Sequence, residues 1–494
     1  MVAKTYIQPE IPNIPEARYN ILDYDVNNKG TELNTSKIQK AVDEVSMNGG
    51  GTLVFPRGVY LSGTIELRSH VRILLEESAV ILGSTERINY KKYERWFGLF
   101  IAKNLENVEI VGEGMIDGQG QQLAININES YHRGEFDSDF VFTEKRFRAN
   151  EKERPQIIEM INCRKVKISG VVIKDAACWV QTYLKCQDLT IDSITVDSDV
   201  FWNNDGIDIE NCQTVLIKNC DINAADDGVC LKSPAGGMNK DIEVINCRIR
   251  SSASAVKFGT DSYGGFYNIF IHDIFAYDTY RSAIALECVD GGIMEKIYVD
   301  NITAWNVGNA FFVRHGNRNG KPQHCKDIHI SNITAYVTNE RQDTKYNQQG
   351  PGRWFFHNPI PASITGIPGH PVDNVDLDNI TLYYPGGATK GMAYISEHRL
   401  DQVLESVTDY PEYDMFQELP CWGLYVRHTD AVKLKDIKMR LVKDDFRSVI
   451  VFDDVKSVEA NDISIDKLRK SKILVKDVES PKILLPANIT TQFI

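Results

Sequence analysis

Asp205-Gly-Ile-Asp-Ile-Glu210, Asp227-Gly-Val-Cys-Leu-Lys232, Ser254-Ala-Val-Lys-Phe-Gly259, Ser282-Ala-Ile-Ala-Leu-Glu287 and Asn309-Ala-Phe-Phe-Val-Arg314 are five versions of one phrase. Their starts lie 22, 27, 28 and 27 residues apart. Each begins with a small polar residue followed by Gly or Ala. The third position (Ile207, Val229, Val256, Ile284, Phe311) and the fifth (Ile209, Leu231, Phe258, Leu286, Val313) are apolar throughout, whereas the fourth and sixth are mixed or charged. Alternation with period two marks a strand with one buried and one exposed face. Short strands recurring at this interval mark a β-solenoid, in which each coil buries its face against the next.

The pattern extends in both directions. Val166-Lys-Ile, Leu189-Thr-Ile and Ile242-Glu-Val fall between the phrases, so a coil carries more than one strand. Asn301-Ile-Thr, Asn332-Ile-Thr and Asn379-Ile-Thr continue it, as do Val432-Lys-Leu and Val449-Ile-Val-Phe. The start of the chain differs. Ile38, Ala41, Val42 and Val45 occupy helical spacing over 35–47, with Asn34 or Thr35 as N-cap and Gly49-Gly-Gly51 as the stop. Such a helix covers the open end of the first coil. The expectation is one domain over 1–494: an N-terminal cap over about 20–50, coils over about 51–465, and a C-terminal end over 466–494. Residues 120–156 and 340–372 fit no strand pattern and are expected to be long loops that build binding sites.

The net charge of −13 argues against a nucleic-acid partner, which requires a basic face. No apolar run approaches the roughly 20 residues that a membrane span needs. Ten cysteines show no zinc-site spacing, and no metal or other cofactor is expected. Asn162-Cys163, Asn211-Cys212, Asn219-Cys220 and Asn246-Cys247 repeat one context, which reads as small buried side chains at equivalent places in the coils.

Neighbouring coils stack about 4.8 Å apart. The leading column therefore runs Asp205, Asp227, Ser254, Ser282, Asn309, and the residue before it runs Asn204, Asp226, Ala253, Arg281, Gly308. Asp205, Asp226 and Asp227 converge within two adjacent coils, where like charges raise the pKa of at least one acid. A carboxyl kept protonated beside one kept ionised is what glycoside hydrolysis uses. An isolated Asp-Gly is more simply a turn pair; the clustering across two coils reverses that preference.

Asn203-Asn204-Asp205-Gly206-Ile207-Asp208, followed by Ala225-Asp226-Asp227-Gly228-Val229, resembles the Asn-x-Asp and Asp-Asp motifs of glycoside hydrolase family 28. That family comprises the polygalacturonases and rhamnogalacturonan hydrolases. Gly49-Gly-Gly-Thr-Leu-Val-Phe-Pro-Arg-Gly-Val-Tyr60 and Val80-Ile-Leu-Gly-Ser84 are similar to its opening coils. The resemblance spans about residues 20 to 465 and implies an all-β, right-handed parallel β-helix. It also implies that Asp226 is the general acid, that Asp205 and Asp227 activate water, and that the anomeric carbon is inverted.

Two family segments are missing. Ser254 stands in place of the His of a Gly-His-Gly segment, and Ala285-Leu286-Glu287 replaces an Arg-Ile-Lys that binds uronate carboxylates. An ordinary endo-polygalacturonase is not expected. Lys257 and Arg314 lie in the columns of the lost cations, displaced by one coil. Two readings stay open: they take over anion binding, or they pair with Asp208, Glu210 or Glu287. Asn203, Ser254, Lys257, Glu287, Arg314, His315, Trp422 and His428 are the substrate-binding candidates. The last four stand in two Arg-His pairs and a loop aromatic, alongside Trp354, Tyr410 and His398. The long loops favour a pocket closed at one end and attack on a chain terminus. The competing readings are a lyase on the same fold, with Ca²⁺ on the acids and Lys257 as base, and a non-catalytic carbohydrate-binding β-helix. Carbohydrate is the one partner expected, with no nucleic acid and no membrane. Met1–Glu10 lacks the apolar core of a leader peptide. The expected compartment is periplasmic or extracellular if a leader preceded Met1, and cytoplasmic otherwise.

Overall fold

In the computed structural model the residues described are 8–340, 358–392, 394–466 and 471–494. The chain is a right-handed parallel β-helix. It divides into two compact units, one built on the chain up to Cys230 with Asp241–Glu243, the other on Leu231–Lys240 and most of the chain from Val244 on.

In the first unit each coil contributes three strands. Gly98–Lys103, Gln156–Ile161, Gln181–Leu184 and Ile207–Glu210 stack in parallel on the first face. Val71–Leu75, Glu106–Gly112, Arg164–Ser169, Gln187–Asp192 and Gln213–Lys218 form the second. Ala79–Gly83, Met115–Asp117, Val172–Lys174, Thr195–Ser198 and Asp221–Ala224 form the third. Inward residues such as Ile110, Val166, Ile168, Leu189, Ile191, Val215 and Ile217 are wholly buried. Each such burial is worth about 1.5–3 kcal/mol against exposure, and that burial holds coil to coil.

The Asn-Cys phrases acquire a geometric reason. Asn162, Asn211 and Asn219 all have φ between 51° and 57°, the left-handed conformation that turns the chain between strands, and each following Cys points into the core. All ten cysteines are free and buried.

The helix Thr35–Met47 buries the four apolar residues named from its spacing. Its cap does not act as expected, because Asn34 makes no side-chain bond to the helix. Its amide is spent on the carbonyls of Asn27 and Glu32 and on the Asn27 N–H, while the Thr35 hydroxyl accepts from Gly63 N at 2.7 Å. Residues 120–156 are not a plain loop either. They contain a second helix, Gly120–His132, and a two-stranded antiparallel pair, Phe142–Thr143 with Arg148–Ala149. Leu123, Ala124 and Ile127 form the buried stripe of that helix, a helical period interrupted by enough polar residues to be missed.

In the second unit the register follows the phrase alignment. Val256 pairs with Ile284 and Ile284 with Phe311, Phe258 with Leu286 and Leu286 with Val313, and Ser282 with Asn309. Asn301, Asn332 and Asn379 have φ of 52–55°, and the Asn379 amide donates to Asn332 at 2.7 Å, an asparagine ladder at a coil bend. Of the expected loop 340–372, residues 341–357 lie outside the described residues, and the stretch 358–372 contains the strand Ala362–Thr365.

Candidate active site

The acids are set by how the chain turns into the strand Ile207–Glu210. Asn204, wholly buried, donates to the carbonyls of Ala176 and Cys178 at 2.8 Å each and accepts from Phe201 N. Arg154, also wholly buried, reaches the carbonyls of Ala149, Ala177 and Trp202 and the side-chain oxygen of Asn203 at 2.8 Å. Arg148 shares that Asn203 oxygen at 3.1 Å and stacks on Trp202 at 4.3 Å. Burial pushes the Arg148 pKa down to about 10, and the neighbouring Arg154 adds to the effect. Asn203, expected to bind substrate, therefore serves as the shared acceptor of two buried guanidinium groups and fixes the turn two residues before Asp205.

Gly206 N donates to Asp227 O at 2.9 Å and Ile207 N to Gly228 O at 3.0 Å, which puts Asp205 and Asp227 on neighbouring coils of one column. The coils touch here. A Cβ on Gly206 would stand 2.5 Å from Gly228 O and 2.9 Å from the Ile222 side chain. This glycine is a requirement of close approach, not of turn conformation. Oxygens of Asp205 and Asp227 and the Cys230 sulfur all lie within 4.8 Å of one another. Asp226 falls outside this triplet. It is partly exposed, and its Oδ1 accepts from Asp227 N at 3.1 Å. Two buried acids side by side can hold and polarise a water, and a third, partly exposed acid next to them in the chain can hand over a proton. Among the described residues the same triplet is the group able to share an ion. Two carboxylates and a thiol do not supply the six to eight oxygens that Ca²⁺ takes, which weighs against the Ca²⁺-dependent lyase.

The column continues one coil earlier to residues absent from the sequence candidates. Thr182 pairs with Asp208, and Val180 N donates to Asp205 O at 2.8 Å, so Trp179 occupies the place equivalent to Asp205. The Trp179 ring is partly exposed and packs against Trp96 at 5.1 Å with a 47° tilt. Outward residues of this face were expected to be exposed, and the structure corrects that. Glu159, Thr182, Asp208 and Glu210 are each at most 2% exposed. Part of the cover is Arg95, which grips Glu210 with two bonds of 2.8 and 3.2 Å and stands 3.8 Å from Glu159. Burial pushes the Glu159 pKa up to about 7, with Arg95 opposing and Glu210 and Glu94 reinforcing. Neither Glu159 oxygen has a hydrogen-bond partner among the described residues.

The repeat hid this coil because its third position is Gln181, not an apolar residue. Gln181 turns inward nonetheless, accepting from the Tyr183 hydroxyl at 2.8 Å and donating to Gly206 O at 3.2 Å.

Six of the seven remaining sequence candidates are engaged within the second unit, and the seventh, Ser254, is buried there. Lys257 stands 3.4 Å from Glu412 and from the Tyr410 hydroxyl, and 3.9 Å from Glu287. Arg314, for which anion binding and pairing with a neighbouring acid were both open, instead anchors a loop. It is buried, donates to the carbonyls of Gly366, Glu405 and Ser406, and lies over Phe416. Burial brings its pKa down to about 10. His315 is buried with its Nδ1 3.3 Å from Pro371 O, and its pKa is pushed down to about 4 chiefly by desolvation. His428 is clamped between Asp454 at 2.5 Å and Glu405 at 2.9 Å. Trp422 is wholly buried, edge-on to Tyr384 at 5.8 Å, so its ring has no face for a sugar. Arg-His spacing and loop aromatics gave no warning of this, since long loops fold back and bury what a bare strand would expose.

Comparison with known proteins points the same way as the acids. The family model "Glycosyl hydrolases family 28" matches residues 46–254. A probable polygalacturonase of Vitis vinifera is 26% identical over 400 residues, 75% of this chain and 75% of the relative. An exo-poly-alpha-D-galacturonosidase of Dickeya chrysanthemi is 22% identical over 297 residues, covering 51% of this chain and 48% of that protein. Among solved structures, a hyperthermoactive exopolygalacturonase from Thermotoga maritima superimposes with a TM-score of 0.53 at 19% identity, over 96% of this chain and 94% of the other.

Proposed function

The chain belongs to the glycosyl hydrolases of family 28 and is a glycosidase, and from that premise we propose that it hydrolyses a pectin-like or other acidic, complex polysaccharide, or oligosaccharides derived from it. The observation that carries the reading is the meeting of Asp205 and Asp227 within 4.8 Å, with the partly exposed Asp226 next to Asp227 in the chain. Asp226 gives its proton to the leaving glycosidic oxygen as the C–O bond breaks. Asp205 and Asp227 take a proton from the water whose oxygen bonds to the anomeric carbon from the opposite face. The product then carries inverted configuration, and one water is consumed per bond.

Attack at a chain terminus is supported by the covered first face. An endo-acting groove would run along the outward column that holds Glu159, Thr182 and Asp208, and those side chains are buried in the first unit. The name of the Dickeya relative accords with an exo mode.

Proton NMR of the first product formed, before mutarotation, tests the stereochemistry: the inverted anomer is expected, and the retained one would refute it. Product profiling tests the exo mode, a ladder of internal fragments counting against it.

A further inference from the structure

Three segments of the second unit enclose a cavity of about 290 Å³ that shares no residue with the aspartate column. Lys390 and residues 394–398 follow the strand Val372–Tyr384, Phe446 and Arg447 lead into the strand Ser448–Asp466, and Lys472 belongs to the strand Ser471–Ile483. Tyr394 and Phe446 meet edge to face at 5.1 Å and form an aromatic wall. Most of the charge around the cavity is already matched. Arg447 is buried and bonded to both Asp445 oxygens at 3.1 and 2.9 Å, with Glu418 at 3.5 Å. Glu397 pairs with Lys472, and His398 stands 3.6 Å from it. Lys390 differs. It is exposed, its ammonium lies 5.7 Å from the Phe446 ring centre, and among the described residues it has no carboxylate partner. The Ser448 hydroxyl also lines the cavity, on a residue 3% exposed, and makes no hydrogen bond among the described residues. A buried hydroxyl left in that state is costly unless a ligand group answers it.

Taking the ligand class from the hydrolase reading above, we propose that this cavity is a second, non-catalytic carbohydrate site that holds one uronate ring. The ring lays its C–H face on the aromatic wall, a hydroxyl meets Ser448, and the carboxylate meets the Lys390 ammonium. The volume lies at the lower end of the range for ligand pockets, which suits one ring and not a run of them. The ring is therefore the end of a polymer chain or a free monosaccharide, and both present the same chemistry.

Titration of the full chain with D-galacturonate and with D-galactose, followed by saturation-transfer NMR, tests this. The acid is expected to bind about fivefold more tightly than the neutral sugar, and Lys390→Ala to weaken the acid by about the same factor. Glu397→Gln removes the carboxylate among the lining residues and is expected to tighten the acid about twofold. Damage to the fold would weaken binding in both variants, so opposite signs report charge in the cavity. Absence of binding, equal affinity for the two sugars, no loss in Lys390→Ala, or a loss in both variants would overturn the proposal. Retention of Asp226→Asn protein on beads carrying oligogalacturonate coupled through its reducing end separates the two sources. Retention abolished by Lys390→Ala assigns a chain end, whereas unchanged retention with monosaccharide binding lost assigns the free sugar. The hydrolase reading fails separately: if wild type cleaves no polysaccharide, the Lys390 effect on D-galacturonate still upholds the cavity, and cleavage without that effect sinks the cavity alone.

Discussion

Replacing Glu159 by Gln isolates the crowding of negative charge beside the active-site column. Glu159 is 1% exposed, and its pKa is moved from 4.5 to about 7, chiefly by burial. Its folded pKa lies above its unfolded one, so the folded state binds the proton more tightly. Stability is fully present below about pH 4.5 and is lost as pH rises through about 7. At about 1.4 kcal/mol per pH unit the loss comes to about 3 kcal/mol. A chain of this length unfolds with an entropy of about 1 kcal/mol per kelvin, so the loss corresponds to roughly 3 °C in Tm. An amide at this position does not titrate, so the Glu159→Gln variant escapes the loss. The difference in Tm, variant minus wild type, should therefore grow by about 3 °C between about pH 4.5 and pH 7.5, whatever offset the amide introduces. Differential scanning calorimetry over that range at constant ionic strength reads it directly. A difference that stays flat with pH, or one that shrinks, would refute the reasoning.

Gly206→Ala forces a methyl group to within 2.5 Å of Gly228 O. It should cost about 1–3 kcal/mol, seen as a lower Tm, together with a fall in kcat as Asp205 and Asp227 part. Trp422→Ala empties a core site wholly shut from solvent; a loss of about 3–5 kcal/mol is expected by thermal unfolding, and a change confined to KM would mean the ring binds sugar after all. Because all ten cysteines are free, reductant should leave Tm unchanged, and thiol titration of the denatured chain should find all ten thiols.

The fold was legible because its physics is periodic. Inward positions such as Ile207, Ile209, Ile284 and Leu286 repeat in register, and Thr35–Met47 shows its buried stripe openly. The nearness of Asp205 and Asp227 was legible for the same reason, since stacking turns a shared place in the repeat into proximity. What failed was whatever the repeat does not govern. Outward columns looked solvated because a strand pattern carries no information about a distant segment lying over it, as Arg95 lies over Glu159 and Glu210. Arg314, His315, Trp422 and His428 looked like site residues by type and were consumed by loop packing and ion pairs. Trp179 escaped notice because Gln181, a polar residue satisfied inside the core, broke the apolar signature of its coil.

The decisive measurement compares cleavage and affinity in Asp226→Asn protein, using whichever oligosaccharide the wild type cleaves fastest. Loss of the proton donor should lower kcat by about a thousandfold or more while the dissociation constant stays within a few-fold. A variant that keeps a tenth of the wild-type rate, or that loses binding and rate together, would contradict the role given to these three aspartates.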